Sequence, residues 1–515
     1  MPTGAPRLLA RMASAVLVCG LLALVLFAGV LKVNYPLRND QALFLLFAEE
    51  ISKGSSLYST IWDIKQPFIF IFYYVSGKIF NFSDYAPHIM ELIWNVCFFV
   101  VVVVFSRRHF ASRWIAGIAP FFLLIYYTYV SPSELTQVET LIALPLMLSA
   151  VLAIRAADDT PATVPLAFLA GFSAGVASGF KIPFAMTALG IHVYVLFRAW
   201  RSGTPARAVL LRLFLPWFTG AMLLWLLLLV YFLFQGTAGE FLRSTFVYPA
   251  QDAMDLEQAP LSRLLLGGAQ ILVTLAPWFC LLGGFLLPPR VHERVPLAPL
   301  LLIWIGVATA LILIQRFSWW PYHWWQLLAP LFLLCMLGLD RIVGALHDRP
   351  WLAGRQRWIL PLLLLAPFSV VLNPLGQNAY FVFNAGAPHS FDGTAFRLEA
   401  DRNYRDVLAA TAAFPGDCAR DRIYVFGTPA IYLRLGCRYL YKFAGQNLPY
   451  ISAGQRTELA ERLRTMPPDW IFMAPASVEW LERREPGLRA VLDAGYQPMA
   501  SGDWGTWYGR AAGGG

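Results

Sequence analysis

Charged residues are scarce in this chain: they make up 14% of its 515 residues, whereas hydrophobic residues make up 58%. Soluble globular proteins carry about a quarter charged residues, so the deficit excludes an ordinary soluble class. Many apolar runs reach the ~20 residues that a helix needs to cross a bilayer. The composition therefore predicts a polytopic α-helical membrane protein.

Several sequence motifs that define enzyme classes are also missing. The chain has no Walker A loop, no glycine-rich dinucleotide-binding motif and no Ser–His–Asp pattern. Its six cysteines include no CxxC pair, and no His/Cys cluster predicts a structural zinc site. We also find no internal repeat of the kind that many transporters carry.

The basic residues predict a membrane topology. The formal charge of +9 comes from arginines in short loops between apolar runs, which is the positive-inside pattern and no sign of nucleic-acid binding. Arg7 and Arg11 then place the N-terminus in the cytoplasm, and about 11 membrane helices follow. The segment 68–80 is too short for a span, so we expect it beside or partly inside the membrane. The expected outer segments include 34–87, 131–134, 236–260 and 316–323.

The composition changes after Asn373, where charged residues become frequent and no further run can span. We therefore divide the chain into a membrane domain, 1–373, and an outer soluble domain, 374–515. The pattern of this second domain predicts a small α/β fold. Its cysteines, Cys418 and Cys437, flank a strand–helix unit, and an oxidising periplasm would permit a disulfide, which the sequence leaves open. The expected strands are 422–427, 438–441, 469–473 and 505–508, with a short helix at 429–435.

The first outer segment, 34–87, carries the most informative residues. Asp40 begins an amphipathic, helix-like stretch that Gly54 ends, and Asp63-Ile64-Lys65-Gln66-Pro67 follows. This order resembles the first outer loop of the GT-C integral-membrane glycosyltransferases. The likeness is to the branch that holds the protein O-mannosyltransferases and the aminoarabinose and galacturonic acid transferases of lipid A. The resemblance implies a GT-C fold for the membrane domain.

Asp40 has two interpretations. By itself it is an ordinary helix N-cap, since aspartate is favoured at that position. The resemblance instead implies that Asp40 is the catalytic base, which takes a proton from an acceptor hydroxyl as that oxygen attacks the anomeric carbon.

Glu139 is the second carboxylate that the resemblance brings into the site, with Glu134 as a weaker candidate. An acid at a helix start is also a routine partner of the helix dipole. Asp40 and Glu139 together could bind a divalent metal ion, although the glutamate replaces an aspartate that is frequent in relatives.

Five basic side chains on the outer side are candidates for binding the donor phosphate: Lys65, Lys181, Arg243, Arg316 and His323. The resemblance implies this role for Lys65, which lies in Lys-Gln-Pro where relatives have Lys-Pro-Pro. Lysines that reach toward headgroups are the alternative for Lys65 and Lys181. An interfacial aromatic belt is the alternative for the turn that holds His323.

The resemblance implies transfer of a sugar from a polyprenyl-phosphate donor to a hydroxyl of a lipid, glycan or protein acceptor. We expect the reaction to invert the anomeric carbon and to take place on the outer face of a bacterial inner membrane. All candidate residues lie outside, whereas nucleotide sugars are cytoplasmic, which also favours a lipid-linked donor. A non-enzymatic flippase for lipid-linked sugars and an outer-face glycan polymerase or ligase are the alternatives.

Overall fold

The computed structural model describes residues 5–110, 113–158, 161–249, 259–275, 282–287, 297–315, 319–347, 375 and 402–511. The chain divides into two compact units, each of which combines distant parts of the sequence. The first unit comprises Met1–Val33, His88–Leu227 and Gln258–Val382, and the second comprises Asn34–Pro87, Leu228–Glu257 and Phe383–Gly515. The second unit thus joins two of the predicted outer segments to the C-terminal region, a grouping that a linear boundary at residue 373 does not express.

The described part of the first unit is helical. Six helices among the described residues have the length and apolar composition needed to cross a membrane. The polytopic helical fold class is thereby confirmed, whereas the number of about 11 spans stays a prediction. The predicted last span, 358–373, lies outside the described residues. The six helices are Ala86–His109, Val138–Ala157, Thr163–Phe180, Ala206–Phe234, Leu297–Ile314 and Pro321–Leu346.

Seven further helical elements are described in this unit. Three of them, Arg113–Ile118, Pro132–Glu134 and Gly283–Leu286, are 3-10 helices. The seven are Ala5–Val33, Arg113–Ile118, Pro120–Tyr129, Pro132–Glu134, Phe184–Arg201, Leu261–Leu275 and Gly283–Leu286.

Two helices of the first unit pack backbone against backbone through glycine. A Cβ atom on Gly171 would lie 1.8 Å from the carbonyl oxygen of Trp217, and one on Gly220 would lie 2.1 Å from that of Phe168. Small residues permit such close approach in membranes, where lipid is as apolar as the side chains and packing replaces the hydrophobic effect. Helices Thr163–Phe180 and Leu215–Phe234 therefore require glycine at this crossing.

The second unit contains a four-stranded sheet in the order β1-β2-β4-β3. Its strands are β1 (Ile423–Phe426), β2 (Trp470–Met473), β3 (Tyr496–Gly502) and β4 (Gly505–Arg510). β1 and β2 are parallel, and the other two pairs are antiparallel. The predicted small α/β domain is confirmed. The helices of this unit are Asn39–Ser52, Pro67–Phe80, Ala238–Leu242, Arg243–Val247, Arg402–Ala412, Ala430–Leu435, Gly445–Tyr450, Ala453–Thr465, Pro475–Arg484 and Pro486–Gly495.

One predicted strand, 438–441, is wrong, and β3 was missed. The backbone at 438–441 is irregular because its aromatic side chains are used in packing rather than on a sheet face. Tyr439 packs against Phe47 at a ring distance of 5.4 Å, and the hydroxyl of Tyr441 donates to the carbonyl of Met466. The sequence did not predict β3 because Pro498 and Gly502 weaken its strand pattern.

The helix Asn39–Ser52 differs from the amphipathic surface helix that the sequence predicts. Residues 41–48 are all buried by protein, which covers every direction around two helical turns. Phe44 packs edge-on against Phe70 and Tyr73 of the helix Pro67–Phe80, at 5.5 and 5.4 Å between ring centres. Tertiary packing therefore fixes the position of the segment that begins at Asn39.

The cysteines of the C-terminal region are joined. A disulfide links Cys418 to Cys437, whose Cα atoms are 4.7 Å apart. The bond ties the loop before β1 to the end of the helix Ala430–Leu435. It closes a loop with a sequence separation of 19, which restricts the unfolded chain and stabilises this part of the unit.

Candidate functional site

Glu139, Lys181 and His323 form one cluster in the first unit. The Nζ atom of Lys181 lies 2.8 Å from Oε1 of Glu139 and 2.5 Å from Oε1 of Gln315. The Nε2 atom of His323 lies 3.6 Å from the same Glu139 oxygen. Only 3% of the Glu139 side chain and 2% of the His323 side chain are exposed. Three residues that the sequence singled out separately thus contact one another, while Gln315 was missed.

Each member of this cluster comes from the end of a helix. Glu139 lies in the short helix Val138–Leu141, and Lys181 follows the helix Thr163–Phe180 with an extended backbone, φ −161° and ψ 121°. Gln315 follows the helix Leu297–Ile314, and His323 lies in the 3-10 helix Pro321–Leu327. Helix ends free the chain to turn, so four segments can bring polar groups to one point.

Two further buried carboxylates hold the loop that precedes Glu139. Oε1 of Glu91 accepts from the hydroxyl of Tyr126 at 2.6 Å, the backbone N–H of Thr136 at 2.9 Å and the hydroxyl of Thr140 at 3.2 Å. Glu134 accepts from Trp325 at 3.0 Å. Thr136 has a positive φ of 52°, which an anchored backbone sustains. Sequence analysis missed Glu91, and the structure gives Glu134 a role in fixing the loop.

Asp40 lies in the second unit and is not a helix cap. The capping position of the helix Asn39–Ser52 is Arg38, whose backbone N–H donates to Oε1 of Gln41 at 2.9 Å. Oδ1 of Asp40 instead accepts from Nε2 of Gln446 at 3.0 Å. Asp40 is only partly buried, and its carboxylate has a hydrogen-bond partner in Gln446.

Asp63 and Lys65 share a rigid turn. Oδ1 of Asp63 accepts from the backbone N–H of Lys65 at 2.8 Å, and Oδ2 accepts from the side-chain amide of Asn447 at 2.9 Å. The hydroxyl of Tyr58 donates to the carbonyl oxygen of Lys65 at 2.7 Å. The backbone N–H and the carbonyl oxygen of Lys65 are thus both hydrogen-bonded, which fixes the backbone from which its side chain extends.

Burial affects the ionisation of Asp63. The pKa of this carboxyl is raised to about 6, chiefly because burial disfavours the charged form. Lys65 and the hydrogen bonds from Lys65 and Asn447 lower the pKa, and the negative charge of Asp40 raises it. Asp63 therefore changes its protonation near neutral pH, where an exposed aspartate would stay ionised.

The segment that carries Gln446 and Asn447 packs closely against β1 in the second unit. It is the 3-10 helix Gly445–Tyr450, and a Cβ atom on Gly445 would lie 2.3 Å from the carbonyl oxygen of Val425 in β1. Trp62 holds the chain that precedes this segment, since its backbone N–H donates to the carbonyl oxygen of Lys442. Its indole N–H donates to the hydroxyl of Ser244 at 2.9 Å. The residues 34–87, 238–247 and 402–511 therefore meet around Trp62.

The two remaining phosphate-binding candidates are Arg243 and Arg316. The side chain of Arg243 is exposed, and Arg316 lies outside the described residues. Within the described ranges, no group of three or more His, Cys, Asp or Glu side chains could hold a metal ion. Glu139 also faces the Lys181 ammonium, which competes with a cation for its oxygen. A single carboxylate beside an ammonium does not by itself offer the oxygen ligands that a divalent cation needs, and the metal site predicted from Asp40 and Glu139 stays a prediction.

Comparison with known proteins identifies the fold. No protein-family model and no curated protein matches the sequence. The chain is similar to ArnT from Cupriavidus metallidurans bound to undecaprenyl phosphate, with a TM-score of 0.60 and 15% identity, over 97% of this chain and 98% of that one. The apo form of that ArnT gives a TM-score of 0.59 and 13% identity over the same shares. The chain has the ArnT fold, and the predicted GT-C fold class is confirmed.

An archaeal protein gives a weaker match. This is the oligosaccharyltransferase AglB from Archaeoglobus fulgidus in complex with an inhibitory peptide and a dolichol-phosphate. The identity is 12%, over 95% of this chain and 74% of that one, and the TM-score of 0.39 supports no inference.

Proposed function

We propose that this chain is a membrane glycosyltransferase that moves a sugar from a polyprenyl-phosphate-linked donor to a hydroxyl of a lipid, glycan or protein acceptor. The observation that carries the proposal is the buried cluster of Glu139, Lys181 and His323, assembled from distant segments at helix ends. The ArnT structure of the same fold was solved with undecaprenyl phosphate, and this supports the same class of lipid carrier as donor.

The proposed reaction is a single displacement. The acceptor oxygen attacks the anomeric carbon while the bond from that carbon to the phosphate oxygen breaks, and polyprenyl phosphate leaves with the bonding electrons. The acceptor proton passes to the carboxylate of Asp40. Inversion at the anomeric carbon follows, because one attack occurs on the face opposite the leaving group. Each side of the equation carries one glycosidic bond and one transferable proton.

Lys65 and Lys181 are the proposed phosphate ligands. Both are compact ammonium groups, and negative charge grows on the phosphate as the glycosidic bond breaks. Lys181 is oriented by Glu139 and Gln315, and Lys65 by the two hydrogen bonds that hold its backbone. Preorganised charge stabilises a transition state more than mobile charge, because no reorganisation is needed during the reaction. No step is assigned to a metal ion.

The contacts around Trp62 support the proposed topology. Because residues 34–87, 238–247 and 402–511 meet around Trp62, we place them on one side of the membrane, so an even number of crossings should separate residue 87 from residue 238. Six membrane helices are expected in that interval from the sequence. With a cytoplasmic N-terminus, the common side is the periplasmic face of an inner membrane, where lipid-linked sugars are available.

The experiment that tests this function measures release of polyprenyl phosphate from a panel of polyprenyl-phosphate sugars by the purified protein. Asp40→Asn should lower kcat by about a thousandfold, the middle of the range for a lost general base. Asp503→Asn, at an exposed aspartate between β3 and β4, is the matched control and should retain wild-type activity.

Each outcome has a meaning. Release that survives Asp40→Asn excludes Asp40 as the base but keeps the enzyme. Donor binding without release from any member of the panel, in the presence of lipid, glycan and peptide acceptors, contradicts the transferase and favours the flippase. A product in which glycan units are joined identifies the polymerase or ligase alternative.

A further inference from the structure

The side-chain amide nitrogen and oxygen of Gln446 differ in their hydrogen bonding. Nε2 donates to Oδ1 of Asp40 at 3.0 Å. A carboxylate only accepts hydrogen bonds, so the nitrogen must face Asp40 and the oxygen must face elsewhere. That oxygen, Oε1, is buried and has no hydrogen-bond partner in the part of the chain that the structure describes. Buried polar atoms are nearly always bonded, so this exception requires an explanation.

Gln446 is held in place by its surroundings and is not a loose surface side chain. Its neighbour Asn447 is buried and bonded to Asp63, while Gly445 lies directly against the backbone of β1. Two adjacent amides of one 3-10 helix thus each contact one aspartate of the first outer segment. Exchanging the two amide atoms would place Oε1 against the Asp40 carboxylate, which cannot donate, so the bond to Asp40 fixes which way the amide faces.

We infer that Gln446 positions Asp40 and that its Oε1 accepts a hydrogen bond from a hydroxyl or amino group of a bound carbohydrate. This inference rests on the proposed function, because the substrate supplies the missing donor. A sugar hydroxyl that reaches Asp40 brings O–H or N–H groups on neighbouring carbon atoms, at the spacing of adjacent amide atoms. Either the donor sugar or a glycan acceptor offers this chemistry, and kinetics can distinguish them.

Through Gln446, the C-terminal region would contact the substrate and contribute to its selection. A substrate group that donates to Oε1 satisfies the amide, whereas a deoxy or O-methyl analogue leaves the oxygen buried and unpaired. Sites built around a buried hydrogen bond discriminate strongly against analogues that lack the partner. The region after residue 402 would therefore contribute a specificity-determining residue as well as a soluble domain.

The test compares two substitutions of Gln446 in the full-length protein. Gln446→Met keeps the shape but removes both hydrogen-bonding atoms, so we expect kcat to fall about 30-fold and one KM to rise about tenfold. Gln446→Glu keeps an acceptor oxygen but turns a carboxylate toward Asp40, so kcat should fall while both KM values stay within about twofold. Gln497→Met, on exposed β3, is the control and should match the wild type.

The two KM values identify the source of the donor group. A rise confined to the KM of the lipid-linked sugar assigns Oε1 to the donor, and a rise confined to the acceptor assigns it to the acceptor. Wild-type kcat and KM values in both Gln446 variants would overturn the inference and leave the transferase intact. Losses that only follow the folded fraction, judged by thermal midpoint and monodispersity, would also overturn it. A wild-type protein that releases nothing removes the proposed function and this inference together.

Discussion

One carboxylate of the first compact unit, Glu139, differs in its partners from two carboxylates of the second unit, Asp40 and Asp63. In the first, Glu139 is buried against the Lys181 ammonium at 2.8 Å, with His323 beside it. In the second, the hydrogen-bond partners of Asp40 and Asp63 are amides. An ion pair ties a carboxylate to its cation, whereas one hydrogen bond from a neutral amide orients a carboxylate and leaves lone pairs for a proton from a substrate. The difference supports an orienting role for Glu139 and a base role for Asp40.

Glu91 shows that neutral partners alone do not make a base. It belongs to the first unit, and all three of its hydrogen-bond donors are uncharged. Unlike Asp40, which is partly exposed, Glu91 is 1% exposed and has three bonds on one oxygen. Three protein donors already bond this Glu91 oxygen, so it is not placed to accept a proton from a substrate. Accessibility therefore separates the proposed base from a carboxylate that fixes a loop.

The largest effect expected from this comparison concerns Asp63 and pH. Because burial raises the pKa of this carboxyl from 3.8 to about 6, the folded chain binds the proton more tightly than the unfolded chain. The free energy of unfolding should therefore rise as pH falls from about 6 to about 4, by up to about 3 kcal/mol. Above pH 6 this contribution is absent, since the buried carboxylate is ionised.

Asp63→Asn should abolish that dependence, because asparagine does not titrate. The measurement is the thermal midpoint of both proteins in detergent at about pH 7 and about pH 4.5, with the pH response of the variant subtracted from that of the wild type. Other titrating groups cancel in the subtraction. Identical pH responses would show that Asp63 is not buried as described.

The ion pair of the first unit should affect turnover next most strongly. Lys181→Met and Glu139→Gln should each lower kcat/KM by about a hundredfold, since each removes a preorganised group proposed to stabilise the departing phosphate. The double variant should be little worse than either single variant, because the two side chains act as one unit. Losses that multiply in the double variant would argue that Glu139 and Lys181 work separately.

An exposed ion pair supplies the control for this cycle. Arg464 and Glu461 are 2.6 Å apart, with side chains 57% and 60% exposed. Glu461→Gln should leave activity and stability close to wild type, because exposed pairs contribute little.

A smaller effect is expected at Glu91. Glu91→Leu removes the acceptor for Thr136, Tyr126 and Thr140, so the loop before Glu139 should loosen and kcat should fall about tenfold. Glu91→Gln keeps an oxygen in the same place and should recover most of the loss. Steady-state kinetics of the two variants tests this, and equal losses in both would mean that charge, rather than loop position, matters at Glu91.

The smallest effect is expected at Arg243. Its side chain is exposed, so Arg243→Gln should raise the KM for the lipid-linked donor by only about threefold, through weakened attraction to phosphate. The difference from wild type should shrink at high salt, because ions screen exposed charges. A hundredfold loss of kcat would instead place Arg243 among the groups that contact the phosphate.

Local patterns predicted the elements of this protein more successfully than its contacts. The long apolar runs predicted the membrane helices, and the short runs of β-branched and aromatic residues at 422–427 and 469–473 predicted β1 and β2. The strand at 438–441 failed, because its tyrosines pack against a helix from the first outer segment. Element type is encoded within a few turns of sequence, whereas that packing partner lies almost 400 residues away.

The candidate site divides in the same way. The sequence by itself determined which residue types are available, namely acids and bases among apolar runs. Lys181 was identifiable because charge near a membrane is costly, whereas Asp40, Glu139 and His323 were identified through the family resemblance. Only the tertiary structure decided the partners, since Gln446 and Asp40 are 406 residues apart and Gln446 is an ordinary polar residue in its local context. Burial and hydrogen-bond geometry arise from packing between distant segments, and no local periodicity carries that information.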